Sequence, residues 1–253
     1  MKRYLLVFRF CLLLLPFTGQ AQTPDELMAR GNEAFKSGDF NGAVEAYSAV
    51  LDAGYESADL YYNIGNAYYR MDEYGQSILN YERALRLRPN FRDARQNVEL
   101  AQSKTEDQIT PLPEVFLIHW AHALVNLFSP TGWRIALLVV AALLALLVVV
   151  FLLSSDYGWR KGTLAGSVVT VVVLLICIAC AIASSVRYNR HDEAVVTLPM
   201  TVVKSSPEEG SVDKMVLHEG TKITIDETLG NWHKIHIADG NTGWVEETDI
   251  TII

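Results

Sequence analysis

Three pairs of residues in this 253-residue chain have types and spacings from which chemistry could be built. Cys177 and Cys180 are three apart in an apolar run, where a helix would put both thiols on one face. A redox dithiol needs a lowered thiol pKa, and no His, Lys or helix N-terminus is placed to supply it. The pair therefore reads as small residues of a membrane helix. His119 and His122 have the spacing of a helical metal pair. They also share a narrow polar stripe with Asn126, while Phe116, Trp120, Leu124, Leu127 and Phe128 cover much of the remaining surface; a membrane-surface helix is the stronger reading. His233 and His236 lie in a strand-like run, whose alternation points them to opposite faces, so they cannot hold one ion. There is no glycine-rich phosphate loop, no Ser-His-Asp order and no convincing metal set. The expectation is a non-enzyme with no cofactor and no metal.

The elements that would position these residues follow from composition. Half of the residues are apolar and the net charge is −8. The apolar residues concentrate near the N-terminus and between about 115 and 186, so a membrane accounts for them better than one large core. The flanking parts, 21–112 and 187–253, are each acidic, at −6. That argues against nucleic acid, whose affinity comes mainly from Lys and Arg, and disfavours docking on anionic lipid. Of the three cysteines, Cys11 lies in the leader and the other two in a span, so there is no disulfide framework.

Residues 1–21 read as a secretory signal peptide: Lys2 and Arg3, an apolar stretch, then Gly19 and Ala21 at the small positions of a cut before Gln22. An uncleaved signal anchor would give the same orientation. Residues 133–155 and 163–186 are long and apolar enough to cross the hydrocarbon. Ser129-Pro130 is a helix start, and Trp133 and Trp159 stand where interfacial aromatics belong. The connecting segment 156–162 reads as a cytoplasmic loop carrying Arg160 and Lys161, and 113–128 as the membrane-surface helix. Gly158, Gly162 and Gly166, four apart, outline a possible helix-contact line, unless the first two belong to the loop. The expected location is the cytoplasmic (inner) membrane, with both soluble parts on the periplasmic side.

Self-comparison of the N-terminal part gives a period of about 34 residues: Gly31 with Gly65, Phe35 with Tyr69, Phe40 with Tyr74, Ala43 with Ser77, Tyr47 with Tyr81, Val50 with Ala84. A two-helix unit of that length is the tetratricopeptide (TPR) period. A TPR domain over 22–107 is expected, with repeats at 24–57 and 58–91 and a capping helix at 92–104, because a stack must end in a more polar face. Tyr61, Ile64, Gly65, Tyr68, Ser77, Tyr81, Ala84 and Pro89 closely resemble the TPR consensus. In that family the first helix of each repeat lines a concave groove. Asn32 and Asn66 are one period apart, as are Asn63 and Asn97; with Arg70 they form the candidate partner site. Asparagine can donate and accept, which suits a peptide backbone. TPR domains that grip a terminal carboxylate are similar at Asn32 and Asn63 but add basic residues; Met28 and Asn97 occupy those places.

From about 191 to 253 the pattern changes to short strand-like runs at 195–203, 214–217, 222–226, 232–237 and 242–245, separated by turn signals such as Asp239-Gly240. A small all-β barrel is expected. Its segments at Val202 to Pro207, Leu217 to Thr221, Trp232 to Ile235 and Gly243 to Val245 resemble the bacterial SH3-like domain, which often binds cell-wall peptides or acts as a partner module. Trp232 and Trp244 are either ligand platforms or, the favoured reading, core filling.

The order of parts — signal peptide, short TPR domain, aromatic surface segment, two spans, SH3-like tail — resembles the BatE-type family of the Bacteroides aerotolerance (Bat) operon over essentially the whole chain. That resemblance implies an adaptor in an envelope complex with a MoxR-type ATPase and membrane proteins carrying von Willebrand factor A domains, with a role in aerotolerance or stress. A cell-wall binding or sensing module is the alternative from a different class.

Overall fold

The computed structural model describes residues 23–113 and 116–253; the leader expected at 1–21 lies outside the described residues. The chain divides into two compact units at Tyr55.

The first unit is a helical hairpin, α1 (Pro24–Ser37) and α2 (Phe40–Asp52). Thr23 and Glu26 form a reciprocal capping box, and Pro24 occupies the first turn, where its missing N–H costs nothing. Gly38 ends α1 in the left-handed region, at φ +85°, and Asp39 caps α2 through the N–H of Gly42. The Tyr47 ring is buried directly against Gly31, at a distance that leaves no room for a Cβ. Its hydroxyl donates to Asn32 Oδ1 at 2.8 Å.

In the second unit, α3 (Ala58–Arg70) and α4 (Tyr74–Leu87) rebuild that hairpin one period later. The Tyr81 ring lies on Gly65, where a Cβ would meet it at 2.6 Å, and its hydroxyl donates to Asn66 Oδ1 at 2.7 Å. The Ser77 hydroxyl donates to the Gly65 carbonyl at 2.9 Å, which ties the two helices together. The turn that uses Gly38 in the first hairpin uses Asp72 here, at φ +62°, a conformation Asp tolerates better than most residues. Helix α5 (Arg92–Gln102) buries Ala94, Val98 and Ala101 along one stripe.

After α6 (Phe116–Val125) come two helices apolar enough to cross a membrane, α7 (Pro130–Leu153) and α8 (Tyr157–Asn189). At about 1.5 Å per residue α7 is about 36 Å long, enough for a hydrocarbon layer of about 30 Å. Leu138, Leu152, Leu153, Val168 and Leu175 point outward and exposed, a surface that suits lipid. The expected loop at 156–162 is corrected: only Ser154–Asp156 separates the helices, because Asp156 accepts the N–H of Trp159 and starts α8 there. Arg160 and Lys161 are therefore helical. Of the three glycines in line, Gly166 faces Leu147 of α7 at van der Waals distance, whereas a Cβ on Gly162 would meet open space. Trp133 is buried. It packs with Cys177 and Cys180, and its indole N–H donates to the Val125 carbonyl at 2.9 Å.

The C-terminal part is an antiparallel sheet of β1 (Glu193–Val196), β2 (Met200–Lys204), β3 (Asp213–His218), β4 (Lys222–Leu229), β5 (Trp232–Ile237), β6 (Thr242–Glu246) and β7 (Ile250–Ile252). The order is β3-β2-β6-β5-β4-β1-β7. No pairing joins β3 to β7, so the sheet is open where a closed barrel was expected. The run expected at 195–203 is two strands, broken at Thr197, Leu198 and Pro199; Pro199 has no N–H for a ladder. Strand β7, absent from the sequence reading, pairs with β1. Val196, Val203, Leu217, Ile223, Ile235, Ile237 and Val245 form the sheet's core.

Candidate functional site

On α3, Tyr62 and Asn66 lie beside Asn97 of α5. Asn66 Oδ1 accepts from Tyr81 and, at 3.0 Å, from Asn97 Nδ2, which also reaches the hydroxyls of Tyr81 at 3.3 Å and Tyr62 at 3.4 Å. Burial pushes the Tyr81 phenol up to about 12, although hydrogen bonds to Ser77 and Asn97 pull it back. The Tyr62 ring packs on Phe91, with centroids 4.9 Å apart. Asn63 is half-buried on the same helix and takes no part in this network; Arg70 is exposed at its end. In the first unit Asn32 is engaged by Tyr47 in the same way as Asn66 by Tyr81. The four asparagines are therefore not equivalent. Asn32, Asn66 and Asn97 hold tyrosine hydroxyls or one another, and Asn63 takes no part in these bonds.

The sheet docks on α4 and α5, not on the face carrying Asn63. Val195 and Ile253 pack with Ile78, Leu79 and Ala101. Lys222 reaches Glu82 of α4 at 3.0 Å and Glu193 of β1 at 2.9 Å. Burial works against its charge, but the two carboxylates outweigh burial and hold its pKa above the usual lysine range. Arg83 donates to the Ile252 carbonyl at 3.1 Å, and Arg86 donates to the main-chain oxygen of Ile253. The segment after α5 belongs to this junction. Asp107 accepts the main-chain N–H and Nδ1 of His218 and the hydroxyl of Thr221. Ile109 packs against the sheet core, and the Leu112 N–H donates to the Ala238 carbonyl at 3.0 Å.

Trp232 and Trp244 do not fill the core. They alternate with the buried His233 and Val245, so they lie half-exposed on the opposite face of the sheet. Trp244 pairs across the strands with Lys204 on one side and Lys234 on the other. His233 is buried and meets Thr228, whereas His236 meets Asp226 on the outer face, so the two histidines do diverge. In the segment before α7, Asn126 accepts from Arg187 of α8 at 2.6 Å; the side chain of His119 lies outside the described residues. Among the described residues no cluster of three metal-ligating side chains occurs.

A family model of the tetratricopeptide repeat matches residues 58–91, and a second TPR repeat model matches 31–72. The helical region carries TPR repeats. Such repeats are protein-interaction modules, and both matched segments contain the glycine–tyrosine contact described above. Sequence reasoning missed Glu82, Arg83, Arg86, Asp107, His218 and Lys222. The only available signal was their charge or titratable type.

Proposed function

We propose that this protein is a membrane-anchored, non-enzymatic scaffold that recruits partner proteins through its TPR surface. The observation that carries the reading is the division of labour on the second repeat. The sheet takes α4, while the α3–α5 face with Tyr62, Asn63, Phe91 and Asn97 is left uncovered by it. A peptide laid there would meet an aromatic floor and the amide of Asn63, which can bond a backbone in either sense. The arrangement of two apolar helices between the repeats and the sheet supports an anchor in the cytoplasmic membrane, with the soluble parts on the periplasmic side. The resemblance to the BatE-type family points to partners with von Willebrand factor A domains and an associated MoxR-type ATPase, in an envelope complex for aerotolerance or stress. Crosslinked co-purification from native membranes, read by mass spectrometry, tests this. Loss of the same partners in Asn63→Ala supports the TPR surface, and their full retention removes it.

A second reading rests on the tail. With Trp232 and Trp244 outside the core and Trp244 between two lysines, the outer face of the sheet has the aromatic and cationic groups of a cell-wall binding module, whether or not it is an SH3-like domain. Retention of the full chain on purified cell wall, lost in Trp244→Ala, would favour it.

A further inference from the structure

A cavity of about 620 Å³ lies where α4, α6, the start of α7, the end of α8 and strand β1 meet. Pro130 marks the first turn of α7, and Val186 and Arg187 belong to the last turns of α8, so the cavity sits at the end of both membrane-crossing helices. In a bilayer that level is occupied by lipid headgroups. Its walls divide by chemistry. Leu85, Val125 and Val186 are apolar, and Arg86, Arg187 and Arg190 are cationic.

The acids at the rim are already engaged. Glu82 and Glu193 both hold Lys222, and Asp192 stands 3.6 Å from Arg190. Arg187 is bound instead by the uncharged amide of Asn126, which leaves its charge for another anion. Arg86 lies against the Tyr188 ring, 5.8 Å from its centroid, and its buried Nε has no hydrogen-bond partner. Its terminal nitrogen already donates to the main-chain oxygen of Ile253, so Arg86 contributes positive charge to the wall, not a free donor. The net acidity of the soluble parts thus says nothing about this one site.

We propose that the cavity binds the headgroup of an anionic phospholipid, its phosphodiester held by Arg187 beside the positive charge of Arg86 and its glycerol end lying against Leu85, Val125 and Val186. The proposal rests on the membrane-anchored reading above. The size fits a small-molecule site, and guanidinium groups bind phosphate through paired, charge-assisted hydrogen bonds. A lipid held here would bridge the second repeat, the surface helix and the exit of α8.

The test uses the full chain, reconstituted in phosphatidylcholine vesicles doped with phosphatidylglycerol, then extracted in mild detergent and weighed by native mass spectrometry. The wild type is expected to retain one phosphatidylglycerol. Arg187→Gln should lower retention about tenfold, as loss of one charge-assisted bond implies, and Arg187→Lys should recover part of it. Val186→Trp, which fills the cavity without changing its charge, should also expel the lipid. Equal retention in wild type, Arg187→Gln and Val186→Trp overturns the proposal. So does displacement of the lipid by millimolar inorganic phosphate, which would make this a free-anion site. If alkaline carbonate strips the wild type from the vesicles, the membrane reading itself fails and the headgroup site falls with it.

Discussion

The carboxylate of Asp107 receives the main-chain N–H of His218 at 2.7 Å and its ring Nδ1 at 2.8 Å. One acidic side chain just past the repeats thereby fixes the end of β3, and it also takes the Thr221 hydroxyl at 2.6 Å. On its other side the His218 ring faces Glu106, at 3.0 Å.

This clamp makes the stability of the junction depend on pH. Burial pushes the Asp107 carboxyl up, but the His218 N–H, the Thr221 hydroxyl and the imidazole together hold it below the usual carboxylate range. Its contribution is complete above about pH 4 and is lost as pH falls through the lower folded value. The hydrogen bond to Asp107 raises His218, against burial and with help from the charges of Asp107 and Glu106. That contribution is complete below about pH 6.5 and is lost as pH rises through the higher folded value. The junction is therefore tightest between about pH 4 and 6.5. Hydrogen-exchange protection in β3 and β4, relative to the intrinsic rate at each pH, should fall above neutrality, and Asp107→Ala should flatten the profile and cost about 2–3 kcal/mol. An unchanged profile in that variant would dissociate the pH dependence from the clamp.

Asn63 and Asn66 should separate binding from folding. Asn66→Ala strips the Tyr81 hydroxyl of its acceptor and should cost about 1–2 kcal/mol in thermal or denaturant unfolding of the full chain. Asn63→Ala, outside that network, should leave the melting temperature unchanged while reducing partner recovery. The opposite pattern would place the partner elsewhere.

The glycine–tyrosine contact should behave alike in the two hairpins. A Cβ at Gly65 would meet the Tyr81 ring at 2.6 Å, so Gly65→Ala should destabilise by about 1–3 kcal/mol, and Gly31→Ala should do the same against Tyr47. Tyr81→Leu should make Gly65→Ala less damaging, a coupling that a double-mutant cycle measures directly. Additive losses would mean that ring and glycine do not compete for the same space.

Lys222→Met should destabilise the junction, because Glu82 and Glu193 would then face each other without a cation. The loss should be roughly 1–3 kcal/mol, below the range for fully buried pairs because the site is partly open to water. It should shrink at high ionic strength, which screens the two carboxylates from each other. Denaturant unfolding at low and high salt checks it, and a salt-independent loss would point to packing instead of charge.

The proposed topology predicts that alkaline phosphatase fused after Ile253 is active and that a fusion in the short turn at Ser155 is inactive. Activity at Ser155 alone would invert the orientation.

The sequence by itself determined whatever depends on neighbours along the chain. The 34-residue period announced paired helices because the small residue at Gly31 or Gly65 and the ring at Tyr47 or Tyr81 belong to one hairpin. Ser129 before Pro130 announced the start of α7, and unbroken apolar runs announced the two long helices. Alternation announced that His233 and His236 diverge. Where the local signal was ambiguous it misled: Arg160 and Lys161 read as loop because charge is common to loops and to helix starts, and Asp156 as a cap was needed to decide. The tertiary structure alone decided the rest. Asp107 meets His218 across 111 positions, and Glu82 meets Lys222 across 140. No periodicity encodes such pairs, because they exist only once the sheet has docked on α4. The same docking draws the segment after α5 into the sheet. The roles of Asn66, Trp133 and Trp244 were likewise open in sequence, since an amide or an indole suits a groove, an interface or a core equally, and only the partner it meets in space selects among them.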